Sequence, residues 1–173
     1  NAHAYLTPSA SGLDFSAFKF NVNLAIAKAA AEAIAKIYGS GEMRLNGDLR
    51  VVADSSNSSA VADITGAKAS FSGATFGTNI ADAQMMLNQS VVVKDVSVSA
   101  EGIILVSSRL NNLSSTAETG SNIGIKMTLI GGDVNTANAA ASVQNKVELE
   151  NATLSAREAL SIEALCDQLS VNA

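Results

Sequence analysis

Three stretches decide the fold: Met43-Arg-Leu-Asn-Gly-Asp-Leu-Arg-Val-Val-Ala53, Val98-Ser-Ala-Glu-Gly-Ile-Ile-Leu-Val-Ser-Ser108 and Leu154-Ser-Ala-Arg-Glu-Ala-Leu-Ser-Ile-Glu-Ala164. They align without gaps, at a spacing of roughly 55 residues that is one longer in the second interval than in the first. Met43, Val98 and Leu154 share one column, and Leu45, Ala100 and Ala156 share the next apolar one. Leu49, Ile104 and Leu160 follow, then Val51, Val106 and Ile162, then Ala53, Ser108 and Ala164. Polar Asn46, Glu101 and Arg157 precede a break at Gly47, Gly102 and Glu158. Each copy reads as a short strand, a bend, and a second strand with one face buried, because apolar and polar residues alternate with period two. Glycine at the bend in two copies permits a close backbone approach.

Working outward, the recurrence predicts a repeat architecture in which equivalent aliphatic side chains stack. The predicted fold class is all-β, a β-solenoid with parallel strands. Such a period is long for a single coil, so each repeat is expected to hold two or three coils. A half-period echo points the same way: Ala35-Lys-Ile-Tyr-Gly39 resembles Ala62-Asp-Ile-Thr-Gly66. Other stretches alternate too. Phe18, Phe20, Val22, Leu24 and Ile26 are separated by Lys19, Asn21, Asn23 and Ala25, and Ile123, Ile125, Met127 and Leu129 repeat the pattern. Val91-Val-Val93, Val96 and Val98 are rich in β-branched residues. Asp54 to Ser59 and Asn111 to Thr116 read as turns or loops.

Residues 27–37 are the exception. They are Ala-rich, with Lys28, Glu32 and Lys36 at i, i+4 spacing. Alanine is the best helix former and this charge spacing suits an exposed helical face. The local expectation is a short helix there, with a second one from Ile80 to Leu87. A continued strand lined with small alanines is the alternative.

The composition fits a layered β architecture. Apolar residues make up 47% of the 173 residues, but aromatics only 4%, with no Trp. Charged residues are 16%, against roughly 25% in average globular proteins. The net charge is −5 and the cations are scattered, which disfavours a nucleic-acid partner. No apolar run approaches the roughly 20 residues of a membrane span. Asn1-Ala2 resembles a scar of tag cleavage. On that reading, residues 3–173 are one segment of a larger protein. Cys166 is the single cysteine, which excludes an internal disulfide and reads as a small buried hydrophobe.

With Ile37-Tyr-Gly-Ser-Gly41 followed by Gly47-Asp-Leu-Arg-Val-Val-Ala-Asp-Ser-Ser56, the chain resembles the repeats of filamentous-haemagglutinin-like large exoproteins, and within them the leukotoxin-like filamentous adhesins. Weaker echoes run through Glu101 to Ser108 and Glu158 to Ala164, while Glu158 replaces the bend glycine. The resemblance implies a right-handed parallel β-helix on the bacterial cell surface or secreted. It also implies an outer-membrane partner transporter for the parent protein, and a host-cell surface protein or glycan as adhesive partner.

Catalytic chemistry finds little footing. His3 is the only histidine, which removes most Ser-His, Cys-His and His-ligated metal arrangements. Ser16-Ala-Phe-Lys19 matches Ser-x-x-Lys without its companion motifs. Gly39-Ser-Gly41 lacks the rest of a nucleotide-binding fingerprint. Gly131-Gly132-Asp133 reads as a turn and not as a calcium repeat. Asp48 and Asp54 are the one acidic pair that could approach each other, as a glycoside-cleaving groove requires. The Asn-x-Ser/Thr matches at Asn57, Asn88, Asn112 and Asn151 read as ordinary turns. Met85-Met86-Leu87 is core or a contact patch. The expectation is a non-enzymatic stalk segment without cofactor or metal, with a carbohydrate-binding or carbohydrate-cleaving module as the alternative.

Overall fold

The structure, a computed structural model, describes residues 2–6, 14–64, 70–119 and 126–173. The described residues form nine strands: β1 (Ala2–Leu6), β2 (Asp14–Leu45), β3 (Leu49–Ser56), β4 (Ser59–Ile64), β5 (Ser70–Ala100), β6 (Ile103–Thr119), β7 (Lys126–Glu150), β8 (Thr153–Ala156) and β9 (Ala159–Asn172). No helix occurs among them. The chain is all-β, and every strand pair is parallel.

Two sheets divide the strands. In one, β6 is central, paired with β3 and β4 along one side and with β9 along the other, while β1 pairs β4. In the other, β5 is central, flanked by β2 and by β7 with β8. Outside the β1–β4 pair, the offset varies by only one residue. Asp14 lies beside Ser70, and Ser70 beside Lys126, at a sequence separation of 56 in both cases. Leu49 lies beside Ile104 at a separation of 55, and Ile104 beside Leu160 at 56. A register shift between Tyr38 and Gly41 accounts for the single residue of difference. Ala2, expected to be part of a scar, pairs with Ala60.

The columns of the sequence alignment fall into this register. Met43, Val98 and Leu154 are ladder neighbours, as are Leu49, Ile104 and Leu160, and Val51, Val106 and Ile162. Val98, Ile104 and Val106, in the central strands, are fully buried. Met43, Leu160 and Ile162 are 37%, 47% and 44% exposed, because the outermost strands have a neighbour on one side only.

The sheets face each other across two apolar clusters. One holds Ala25, Ala27, Ala29, Ala60, Ala62, Ala81 and Ala83, with Met85, Leu87, Leu110 and Leu113. The other holds Val51, Val91, Val93, Val96, Val98, Ile104 and Val106. Alternation supplies both. In β5 the inward row runs Ala81, Ala83, Met85, Leu87, Gln89, Val91, Val93, then changes parity to Val96, Val98, Ala100. The change occurs at Asp95, whose φ is 54°. In β6 the row Ile104, Val106, Ser108, Leu110 changes parity to Leu113, Ser115, Ala117 at Asn112, φ 53°. One left-handed residue rotates the strand and flips which side chains face in, and Asn and Asp tolerate that conformation best. These positions recur along the stack: Asn57, Asn112 and Gln168 all have positive φ, as do Asp95 and Asn151. Asn112 Nδ2 donates to Asn57 Oδ1 at 3.1 Å, and Asn151 Nδ2 to Asp95 Oδ1 at 3.1 Å.

Several expectations are corrected. Residues 27–37 and 80–87 are strand and not helix, within β2 and β5. A spacing of four serves a helical face and a strand face equally, so Lys28, Glu32 and Lys36 gave an ambiguous signal. Alanine's helical advantage over ordinary residues, at most about 0.7 kcal/mol each, yields to a continuous ladder and a buried face. One repeat contributes one layer to each sheet and not two or three, since every strand pairs with its equivalent one full repeat away. Ala35 and Ala62, the described anchors of the half-period echo, lie in opposite sheets, while Gly66 falls outside the described residues. Asn88–Ser90, Asn111–Thr116 and Gly131–Asp133 are strand rather than turn, with Asn112 the one left-handed residue there. Phe18, Phe20, Val22, Leu24 and Ile26 are exposed. The inward row beside them is instead Asn23, Ala25, Ala27 and Ala29. Of the other alternating run, Ile123 and Ile125 lie outside the described residues.

Candidate binding face

The bend that carries the chain from one sheet to the other is built on a close contact. A Cβ at Gly102 would overlap Asp48 Oδ1 and crowd the Gly47 backbone, so any side chain there has to displace the Asp48 carboxyl. That carboxyl is occupied: Asp48 Oδ1 accepts from the Ile103 backbone N–H at 2.9 Å. Asp48 is thus a bend residue. Asp54 lies further along an extended strand, roughly 20 Å away, so the pair does not converge as a glycoside-cleaving site would.

The other sequence candidates are likewise apart. His3 sits in β1 beside Val61. Ser16 and Lys19 sit in β2, beside Ser72 and Thr75. Cys166 is exposed, not buried, because its strand β9 is the last of its sheet. Met85 and Leu87 are buried in the core and Met86 points outward at 61% exposure. Among the described residues no three His, Cys, Asp or Glu side chains converge to hold a metal ion, and no helix is long and apolar enough to cross a membrane.

Several polar side chains inside the stack are matched. Asn23 donates to Asn79, and Asn79 to Asn135, each at 2.7 Å, forming an amide ladder. Ser115 Oγ donates to the Ala83 carbonyl at 3.0 Å, spanning directly from one sheet to the other. Gln89 Nε2 spans the gap to the carbonyls of Ala53 and Arg109, at 2.6 and 2.7 Å. One strand on, Asn145 Nδ2 donates to the Leu165 and Ser108 carbonyls, and its Oδ1 accepts from Ser108 Oγ. Gln89 Oε1 is buried without a partner.

Along the outer face of the β2–β5–β7 sheet, a shallow mixed depression of about 480 Å³ at Ala30, Met86 and Ser142 separates a polar end from an apolar one. Toward the C-terminal ends of the strands lies a shallow polar depression of about 330 Å³. Lys36, Tyr38, Asn88, Ser90, Lys94, Gln144 and Lys146 line it, with Glu148 and Glu150. Its charges are largely paired. Lys94 Nζ lies 2.7 Å from Glu150 Oε1, and that hydrogen bond raises the lysine pKa. Lys146 Nζ lies 3.1 Å from Glu148, and Asn88 Nδ2 donates to Glu32 at 3.2 Å. Lys36 Nζ sits 5.9 Å from the Tyr38 ring centroid. Two amides, the Tyr38 side chain and the apolar Ile34 and Val92 remain to meet a ligand, a set suited to neutral groups and not to a polyanion. The other region is the apolar row of Phe18, Phe20 and Val22. Its sequence signal, strict alternation, was visible, but alternation does not say which row faces the core.

On the opposite sheet, the Arg109 guanidinium is hydrogen-bonded to Glu163 Oε1, and Ser107 Oγ lies 3.0 Å from the same oxygen. The Arg109 hydrogen bond, then that of Ser107, holds the Glu163 carboxyl below its usual range. The pair is partly exposed, so it tunes the surface more than it holds the fold. No protein-family model, curated protein or solved structure matches this chain.

Proposed function

We propose that the chain is a non-catalytic, structural and adhesive stalk segment of a large bacterial surface or secreted exoprotein, built as a right-handed parallel β-helix. The observation that carries the reading is the near-constant register: both sheets pair in parallel at a sequence separation of 55 or 56, with only the terminal β1–β4 pair departing, at the Ala2–Ala60 offset. A chain with that rule adds one layer per repeat and lengthens without changing its cross-section. Each layer buries its inward row against its neighbours, at roughly 25 cal/mol per Å² of apolar surface, so stability grows with repeat number. Such a stack needs no disulfide. In the parent, an outer-membrane partner transporter would export it, and a host-cell protein or glycan would be the adhesive partner.

Inserting four further copies of residues 70–125 tests the architecture. At about 4.8 Å per added strand, the particle should lengthen by roughly 19 Å in small-angle scattering and melt at higher temperature. Unchanged length would sink the β-helix reading. Adhesion is read separately, by retention of chain-coated beads on host-cell monolayers, with no retention the contrary result.

A carbohydrate-binding module is the second reading, favoured by the polar depression with Tyr38, Asn88 and Gln144. Glycan-array binding lost on Tyr38→Ala would support it, and release of reducing sugar from polysaccharide would replace both readings with an enzymatic one.

A further inference from the structure

The apolar row outside β2 is exposed and belongs to neither core cluster. Phe18, Phe20 and Val22 are 72%, 75% and 76% exposed, and Leu24 and Ile26 extend the row at about half exposure. Phe76 of β5 continues it sideways: its ring stacks on Phe20 with centroids 5.7 Å apart and planes at 20°. Val134 of β7 carries it to the third strand, beside Thr78. Every outward position of β2 from Phe18 to Ile26 is uncharged.

From these structural facts we propose that this face pairs with the same face of a second copy of the chain, related by a two-fold axis. Three arguments select that occupant. The first is area. Aromatic side chains carry about 150–250 Å² each, so the exposed part of this row and its neighbours comes to roughly 800 Å², the share each partner contributes to a standard interface. The second is shape. In register with Phe20 and Phe76 stands Gly132, where an added Cβ would meet nothing within 4 Å. Phe18 stands beside Ala74. Ala74 is already covered, at 7% exposure, so the face offers raised rings on β2 and a hollow at Gly132. A two-fold operation brings rings over hollows on both copies at once, the self-complementarity that an isologous interface requires. The third is charge. From Phe18 to Leu24 the row and its ladder neighbours are uncharged, with Asp82 only at the far end beside Ile26, so a charged partner finds little to pair with and a second copy little to repel, while sheet faces pack against each other readily at about 10 Å. Pairing of this kind goes beyond the stalk reading and stands or falls separately from it.

Sedimentation velocity on the full chain, from 1 to 200 µM on the order of standard dimer affinities, tests it. The expected result is a monomer–dimer equilibrium around the 17.6 kDa chain. The paired variant Phe20→Lys with Val22→Lys should raise the dimer dissociation constant at least tenfold, with an unchanged strand-type circular dichroism spectrum. Both side chains are exposed, so folding is not at stake. The milder Phe20→Ser should weaken pairing in the same direction. A chain that stays monomeric at the highest concentration overturns the proposal. So does a dimer indifferent to these substitutions, or an open-ended oligomer series, which would indicate pairing along the sheet edges instead.

Discussion

The two interiors of this stack obey one alternation rule with different side chains. Where Ala25, Ala27, Ala62, Ala81 and Ala83 line it, the sheets are near enough for Ser115 to reach the opposite backbone. Toward the part lined by Val91, Val93, Val98, Ile104 and Val106, the side chain that spans is the longer one of Gln89. Side-chain volume thus sets the local gap, while the ladder register, shared by both, sets the order along the stack. The difference teaches that alanine here is a spacer. It allows the close approach at Ser115, beside the bulkier Met85, Leu87, Leu110 and Leu113 of the same cluster, and a paired backbone overrides its helical preference.

The sharpest way to break this comparison is Ile104→Asp. It puts an unpaired charge at a fully buried position of the aliphatic part, and a loss above about 4 kcal/mol, enough to abolish cooperative unfolding, is expected. A melting temperature within a few degrees of the parent chain would show that Ile104 does not face the core. Next comes the volume test. Ala83→Leu should overpack the alanine-lined interior at about 1–3 kcal/mol, whereas Val93→Leu in the aliphatic part should cost less than about 1.5 kcal/mol. Urea titrations that returned equal losses would remove the distinction between the two interiors.

The bend that separates these regions offers a smaller effect. Gly102→Ala pushes a methyl group into Asp48 Oδ1, at an expected cost of about 1–2 kcal/mol. Because Asp48 is the obstacle, Asp48→Ala should relieve part of that cost, and a double-mutant cycle should give a coupling of at least about 0.5 kcal/mol. Strict additivity would place the strain elsewhere. The smallest effect is the pH response of the surface. The folded-state pKa of Glu163 is lowered, so its contribution is present above the ordinary carboxylate pKa of about 4.3 and is lost as pH falls through the depressed value. The stability gap between the parent chain and Glu163→Gln should therefore narrow on acidification below that range. A gap that widened would reverse the assignment.

Much of the register was visible in the sequence. The columns through Leu49, Ile104 and Leu160 could be aligned because the bend at Asn46–Asp48 fixes phase and alternation runs on both sides of it. What escaped notice has physical causes. Phe18 to Ile26 is more apolar than the Asn and Ala row between, so hydrophobicity alone points the wrong row inward. Asn23, Asn79 and Asn135 can occupy the inner row because each amide finds its neighbour. The left-handed corners were half visible: Asn57-Ser-Ser59, Asn112-Leu-Ser114 and Gln168-Leu-Ser170 align at the repeat offset, but two of them looked like glycosylation signals. The candidate face was the least readable, since it joins Tyr38, Asn88 and Gln144 from strands far apart in sequence.

The long register also governs how the chain yields to force. A pull on the C-terminus detaches β9 from β6 first, and then β8 and β7 from β5, so one repeat is held by successive ladders in both sheets. Peeling one whole repeat, across all of these ladders, releases on the order of 190 Å of extended polypeptide. Under load, such a pairing pattern yields ladder by ladder, in the reverse of the order in which the strands lie along the chain.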